Sequence, residues 1–247
     1  MEITRKEDAA NRDAMVRWFH WINVIVVLLL AVIGAFIWNA KTLGMSDEGK
    51  VLLKQLHALC GYVFAVNLLV RLAWAFVGGE HARWRSLLPL GRGFPKALAS
   101  QARNLFRPEG HDQPGHSPLG RISVTLMLAC MLTMAVTGLV LAGTDIYYPP
   151  LGGRIAEWVA ADGVDPADVA PNRPELVDEA AYREMRAFRS PFIDTHKFVF
   201  FMLLALVPLH VAGVVLAEHK GGRSIVSSMI TGRAYMKPAP QDQPEAD

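Results

Sequence analysis

Four long blocks without a charged side chain, residues 18–40, 55–70, 122–144 and 198–217, decide what this chain can fold into. Three of them have about the 20 residues that a helix needs to cross the hydrocarbon core of a bilayer. The second is shorter, but it continues past Arg71 through Leu72-Ala73-Trp74-Ala75-Phe76-Val77. A soluble domain of 247 residues would spread its apolar residues, 52% of this chain, over amphipathic elements. Concentrated as they are, they predict an all-α integral membrane four-helix bundle, a single domain over residues 1–247. The expected spans are about 17–39, 50–77, 119–142 and 191–218.

The net charge of +2 says little, but its distribution orients the bundle. Residues 1–17, 78–118 and 218–247 carry fourteen Lys and Arg, whereas 41–54 and 144–190 carry eight. The positive-inside rule therefore places both termini and the 78–118 loop in the cytoplasm of a bacterium, with the chain in the inner membrane. The 144–190 segment holds nine acidic residues against five basic ones, so the long, partly helical external loop should present an acidic face. Two short helices are expected in it, at 155–161 and 175–188. Ser190-Pro191 reads as an N-cap followed by proline at the first position of the fourth span. Gly78-Gly79 reads as the stop of the second. Residues 84–98 mix basic and apolar side chains and suit the headgroup plane. Residues 1–16 read as a polar tail or a short helix lying at the surface. The first apolar run is longer than a signal core and is expected to be a retained helix.

Histidines supply the chemistry. His20 lies near the start of the first block, His57 near the start of the second, and His196 and His210 belong to the fourth helix. Fourteen residues at about 100° each make nearly four turns, so His196 and His210 share one helix face about 21 Å apart. Helices 1 and 3 run outward and helices 2 and 4 inward. His20 and His210 then lie at a cytoplasmic level, and His57 and His196 at an external one, with helix tilt and a kink at Pro208 absorbing the residual mismatch. A single imidazole in such a span is explained by a polar helix contact. Four at two matched levels in hydrocarbon are expensive without a use. Two bis-histidine haems b meet the pattern, and no Cys-x-x-Cys-His is present to attach them covalently. Gly34, fourteen residues after His20, and Gly61, four after His57, leave room for a macrocycle on the histidine faces. Cys60 and Cys130 read as small apolar residues within spans.

Arg-Trp-Phe-His-Trp at 17–21, Gln-Leu-His-Ala-Leu-Cys-Gly at 55–61, Val-Thr-Gly at 136–138 and the pair His196 and His210 resemble the bacterial cytochrome b-561 and nickel-hydrogenase b-type cytochrome group. The resemblance covers about residues 15–220. It implies a four-helix, two-haem integral protein that passes electrons between the quinone pool and a partner.

Arg71 stands fourteen residues after His57, on the same face, where a haem propionate or a quinone oxygen would answer a guanidinium, as would snorkelling to the headgroups. His219 falls on the opposite face of helix 4 from His210 and reads as a solvated helix end or a proton-handling group. His81, His111 and His116 read as surface residues without zinc spacing. The basic internal loop faces anionic lipid, which accounts for it without nucleic acid. Three functions compete. The first is electron transfer between quinone and a periplasmic redox protein, such as a cytochrome c or an oxidoreductase subunit, steered by the acidic loop. The second is a self-contained quinone-linked oxidoreductase acting on a small molecule such as superoxide. The third is a haem-free metal or proton transporter, disfavoured because the span interiors lack carboxylates.

Overall fold

The computed structural model of the chain describes residues 2–79, 82–104, 118–221 and 225–232. Among these residues there is no strand. Four helices are long and apolar enough to cross a membrane: 14–38 within α1 (Glu2–Trp38), α2 (Asp47–Val77), α5 (Pro118–Ile146), and 179–219 within α7 (Glu179–Gly221). Between them lie α3 (Trp84–Leu87), α4 (Phe94–Asn104) and α6 (Gly152–Val159), and α8 (Ile225–Thr231) follows α7. The spans bear large side chains exposed to their surroundings, among them Ile25, Leu28, Val32 and Phe36 on α1 and Leu59, Val63, Val66 and Leu69 on α2. In water such faces would be intolerable; in lipid they are the solvent-facing surface.

Three expectations about helix ends are corrected. The stretch before residue 17 is no separate tail, because α1 runs without a break from Glu2. Ser190-Pro191 does not start the last helix. α7 begins at Glu179 and passes through both Pro191 and Pro208. The expected separate short helix at 175–188 is instead a 3₁₀ turn at Pro174–Leu176 followed by the first turns of α7 from Glu179. Tertiary packing joins those turns to the span, since Met185 is fully buried and Tyr182 packs beside it. Proline's missing N–H removes one intrahelical bond, which that burial offsets. α2 does end at Val77, as Gly78-Gly79 predicted.

The chain divides into two compact units. One comprises residues 19–73 and 127–204, and the other residues 1–18, 74–126 and 205–247. In the first unit, Val26, Phe64 and Leu68 form a buried cluster joined by Ile22, Cys60, Met131 and Met134, which packs α1, α2 and α5 together. Asn67, buried in α2, donates from Nδ2 to the Phe19 carbonyl of α1 over 3.1 Å, a cross-helix bond that hydrocarbon cannot replace with water. A second cluster, Ile155, Ala156, Val159, Val169 and Met185, folds the segment after α5 against the start of α7. That segment contains α6, 3₁₀ turns at Pro166–Asp168 and Pro174–Leu176, and a single bridge from Ala160 to Val177. Gly152 has no alternative in it, because a Cβ there would run into the Tyr147 carbonyl.

In the second unit, Thr125 of α5 donates to the Leu87 carbonyl at the end of α3 over 3.1 Å, and Gln101 of α4 accepts from the Leu119 N–H over 3.0 Å. Trp84 meets Phe76 edge-on. Glu218 accepts from the Val226 N–H over 2.7 Å, tying α8 to the end of α7. His81, His111 and His116 lie outside the described residues.

Candidate functional site

His57 on α2 and His196 on α7 face each other inside the first unit, their ring centroids 6.4 Å apart and their planes steeply inclined at 69°. Two imidazoles on opposite sides of one metal ion, with metal–nitrogen bonds of about 2 Å, have centroids roughly 6 Å apart. The two rings are thus spaced so that His57 and His196 would hold one metal ion between them. The helices make room for the rings with glycine. A Cβ on Gly34 of α1 would stand 3.4 Å from His57 Cε1, and one on Gly138 of α5 would stand 3.5 Å from His196 Cε1. Gly61 meets nothing within 4 Å. Four helices therefore converge on the two rings, two bringing imidazoles and two bringing bare backbone.

The two imidazoles differ in their surroundings. His196 Nδ1 lies 2.8 Å from Thr137 Oγ1. The Thr137 hydroxyl has one proton, and the Thr133 carbonyl, 2.7 Å away, accepts it. The hydroxyl oxygen is then the acceptor for His196 Nδ1–H, which leaves Nε2 with its lone pair free for a metal. Sequence reasoning noticed Thr137 only as part of a motif. A threonine that bonds back to its own helix gives no signal that it also bonds a histidine on another. His57 Nδ1 is buried and has no hydrogen-bond partner among the described residues. A planar, largely apolar group with a central metal fits these residues: facing imidazoles, a fixed tautomer and glycine-lined helix faces. Among the described residues no group of three or more His, Cys, Asp or Glu forms an alternative metal site.

One to two helical turns from the pair along α2, α5 and α7, a charged cluster escaped the sequence reading altogether. Asp145, at the end of α5, takes Lys54 of α2 on one oxygen at 2.9 Å and Arg189 of α7 near the other at 2.5 Å, the latter an ion pair without hydrogen-bond alignment. Its side chain is only 15% exposed. Tyr62 of α2 donates to the Pro149 carbonyl, four residues after Asp145, over 2.6 Å. Burial first, then Tyr182 and Asp145, push the Tyr147 phenol up to about 12, so it stays neutral at physiological pH.

The remaining predicted residues are more dispersed. His20, in the first unit, contacts Trp21 edge-on at 5.5 Å, and the Asn67 bond to Phe19 anchors its helix turn. Arg71 is partly buried on α2. His210 belongs to the second unit and is partly buried, while His219 is exposed at the end of α7 beside Val215 and Leu216.

A helical membrane protein built around a facing histidine pair is the architecture of a b-type cytochrome. Residues 11–232 match the model of the prokaryotic cytochrome b561 family, and the chain belongs to that family. Membership makes haem b its cofactor and the bacterial inner membrane its location. It is 29% identical over 239 residues to a probable Ni/Fe-hydrogenase B-type cytochrome subunit of Rhizobium leguminosarum bv. viciae, covering 91% of this chain and 88% of that one. The corresponding protein of Azotobacter vinelandii is 30% identical over 168 residues, 64% of this chain and 70% of the relative. A probable Ni/Fe-hydrogenase 1 B-type cytochrome subunit of Escherichia coli K12 is 31% identical over 146 residues, 55% and 61% of the two chains. No solved structure matches the chain.

Proposed function

We propose that the chain carries electrons across the inner membrane through two non-covalent haems b, between the quinone pool and a redox protein on the external side. The observation that carries this reading is the His57–His196 pair at 6.4 Å, with Thr137 fixing the tautomer of one ring. Haem, when bound, supplies a one-electron centre, and six-coordinate ligation by two imidazoles favours electron transfer over oxygen binding. The protein's part is to hold two neutral imidazoles at fixed separation and to exclude water with packed apolar helices. The relatives' names support a hydrogenase as the external partner. The second haem, on His20 and His210, rests on sequence register: fourteen residues separate His196 from His210 on the unbroken α7.

A pyridine haemochrome assay of the purified chain should give two haems b per polypeptide, released by acidified solvent. None, or one at full occupancy, would defeat the two-level reading. Arg71 is proposed to meet a propionate or a quinone oxygen at the inner level. Arg71→Leu should then shift the inner haem's potential or slow its reaction with quinol and leave the outer haem unchanged. Arg71→Lys should restore only part, because a point charge lacks the guanidinium fork. Wild-type potentials and rates in the leucine variant would mean that Arg71 merely snorkels.

A further inference from the structure

The charged cluster above the histidine pair has an imbalance that its own residues do not resolve. Lys54 and Arg189 share one carboxylate, Asp145, so the cluster carries one positive charge in excess while its side chains are only 26%, 21% and 15% exposed. Among the described residues no second carboxylate pairs with either cation. A partly buried cation without an anion is costly, and the arrangement is stable when a further anion joins it. The positions of the three residues point to which anion. Lys54 precedes His57 by three residues, one helical turn and about 4.5 Å along α2. Arg189 precedes His196 by seven residues, two turns of α7. Asp145 follows Gly138, the glycine facing His196, by seven residues, two turns of α5. Three of the four helices that frame the ring pair thus send a charge to its outer rim.

We infer that Lys54 and Arg189, held apart and aimed by Asp145, form the carboxylate-receiving site for the haem that His57 and His196 ligate, and set that haem's potential. The inference rests on the proposed haem at this pair. Asp145 is a positioning residue: it keeps two long, flexible cations in fixed rotamers before the cofactor arrives, which lowers the ordering entropy lost on binding. Arg189 offers a planar fork to a carboxylate and Lys54 a point charge. A positive charge close to the iron favours the reduced state, because reduction removes a unit of positive charge from the centre. The cluster therefore raises the potential, and Asp145 moderates it.

The signs separate this role from a merely structural one. In the purified full-length chain, spectroelectrochemical titration should show the outer haem's potential falling in Lys54→Met and in Arg189→Met, and rising in Asp145→Asn. The inner haem should not move. Arg189→Lys should fall in between. A second readout needs no redox chemistry. Haem b and its dimethyl ester, whose carboxylates are masked, are exchanged into the wild-type chain and their loss to apomyoglobin is timed. The ester should leave the outer site roughly tenfold faster or more, as expected for losing a charge-assisted bond, and Arg189→Met should erase most of that difference. Shifts of the same sign in all three variants, no shifts, or undiminished ester discrimination in Arg189→Met would reduce the cluster to a helix staple and overturn the inference. If His57→Ala retains every haem of the wild type, the haem site itself is wrong, and that failure is visible before any potential is measured.

Discussion

Thr137 gives its single proton to the Thr133 carbonyl, and His196 takes the oxygen lone pair that remains. Thr137→Val keeps the shape and removes the acceptor, leaving His196 Nδ1–H buried without a partner. Haem affinity at the outer site should fall ten- to a hundredfold, the usual effect of losing a ligand's outer hydrogen bond, and Thr137→Ser should recover most of it. Timed haem loss measures both; equal retention in the valine variant would show that packing alone orients the ring. Residue-scale chemistry was legible where it depended on spacing along one helix, as with His196 and His210. It was hidden where three segments cooperate. Lys54, Asp145 and Arg189 are far apart in the chain, and each read alone is an ordinary charge at a helix end.

At the level of elements, the folded segment between α5 and α7 is a small core of its own, centred on Val159 and Met185. Met185→Ala should destabilise it by about 2–5 kcal/mol, as for other large-to-small core substitutions. The readout is accelerated proteolysis within 144–190 while the haem spectrum persists. Unchanged proteolysis would mean that neighbouring helices hold the segment without its core. The sequence showed this segment's acidity and its helical patterns but misplaced the start of the last helix. Ser-Pro carries a strong local signal for an N-terminus, and only the burial of Met185 and Tyr182, a tertiary fact, overrides it. The proposed docking role adds an electrostatic expectation. Asp162, Asp165 and Asp168 are exposed, and Asp165 also caps the Ala167 N–H at 2.9 Å. Asparagine at all three positions keeps that cap. It should slow association with a basic partner at low salt and have little effect at high salt, where surface charges are screened. Stopped-flow rates blind to both changes would leave the segment as a cover only.

Across the whole molecule, the proposed ligand pairs make a genetic prediction. His20→Ala and His210→Ala should remove one and the same haem, and His57→Ala and His196→Ala the other, as resolved by redox titration of the four variants. Loss of the same haem in His20→Ala and His57→Ala would break the assignment. The four spans were legible because hydrocarbon demands about 20 apolar residues in a row, a signal too long to arise from a soluble core. Their contacts were not, since lipid is as apolar as leucine and hydrophobicity does not say which face meets another helix. Gly34 lies on the face of His20 by count but about 21 Å further along α1, and the structure brings His57 of α2 against it, a cross-helix contact that counting along one helix does not give.

The unlike surroundings of the facing imidazoles give the pair a weak side and a strong side. His196 is tethered through Thr137, whereas the Nδ1 of His57 has no hydrogen-bond partner among the described residues. Under competition the untethered ring should yield first, so an incoming strong-field ligand such as carbon monoxide would occupy the α2 side and keep His196 trans to it. The spectrum of that mixed complex should then still respond to Thr137→Val. A complex indifferent to residue 137 would show that the tethered ring had left instead.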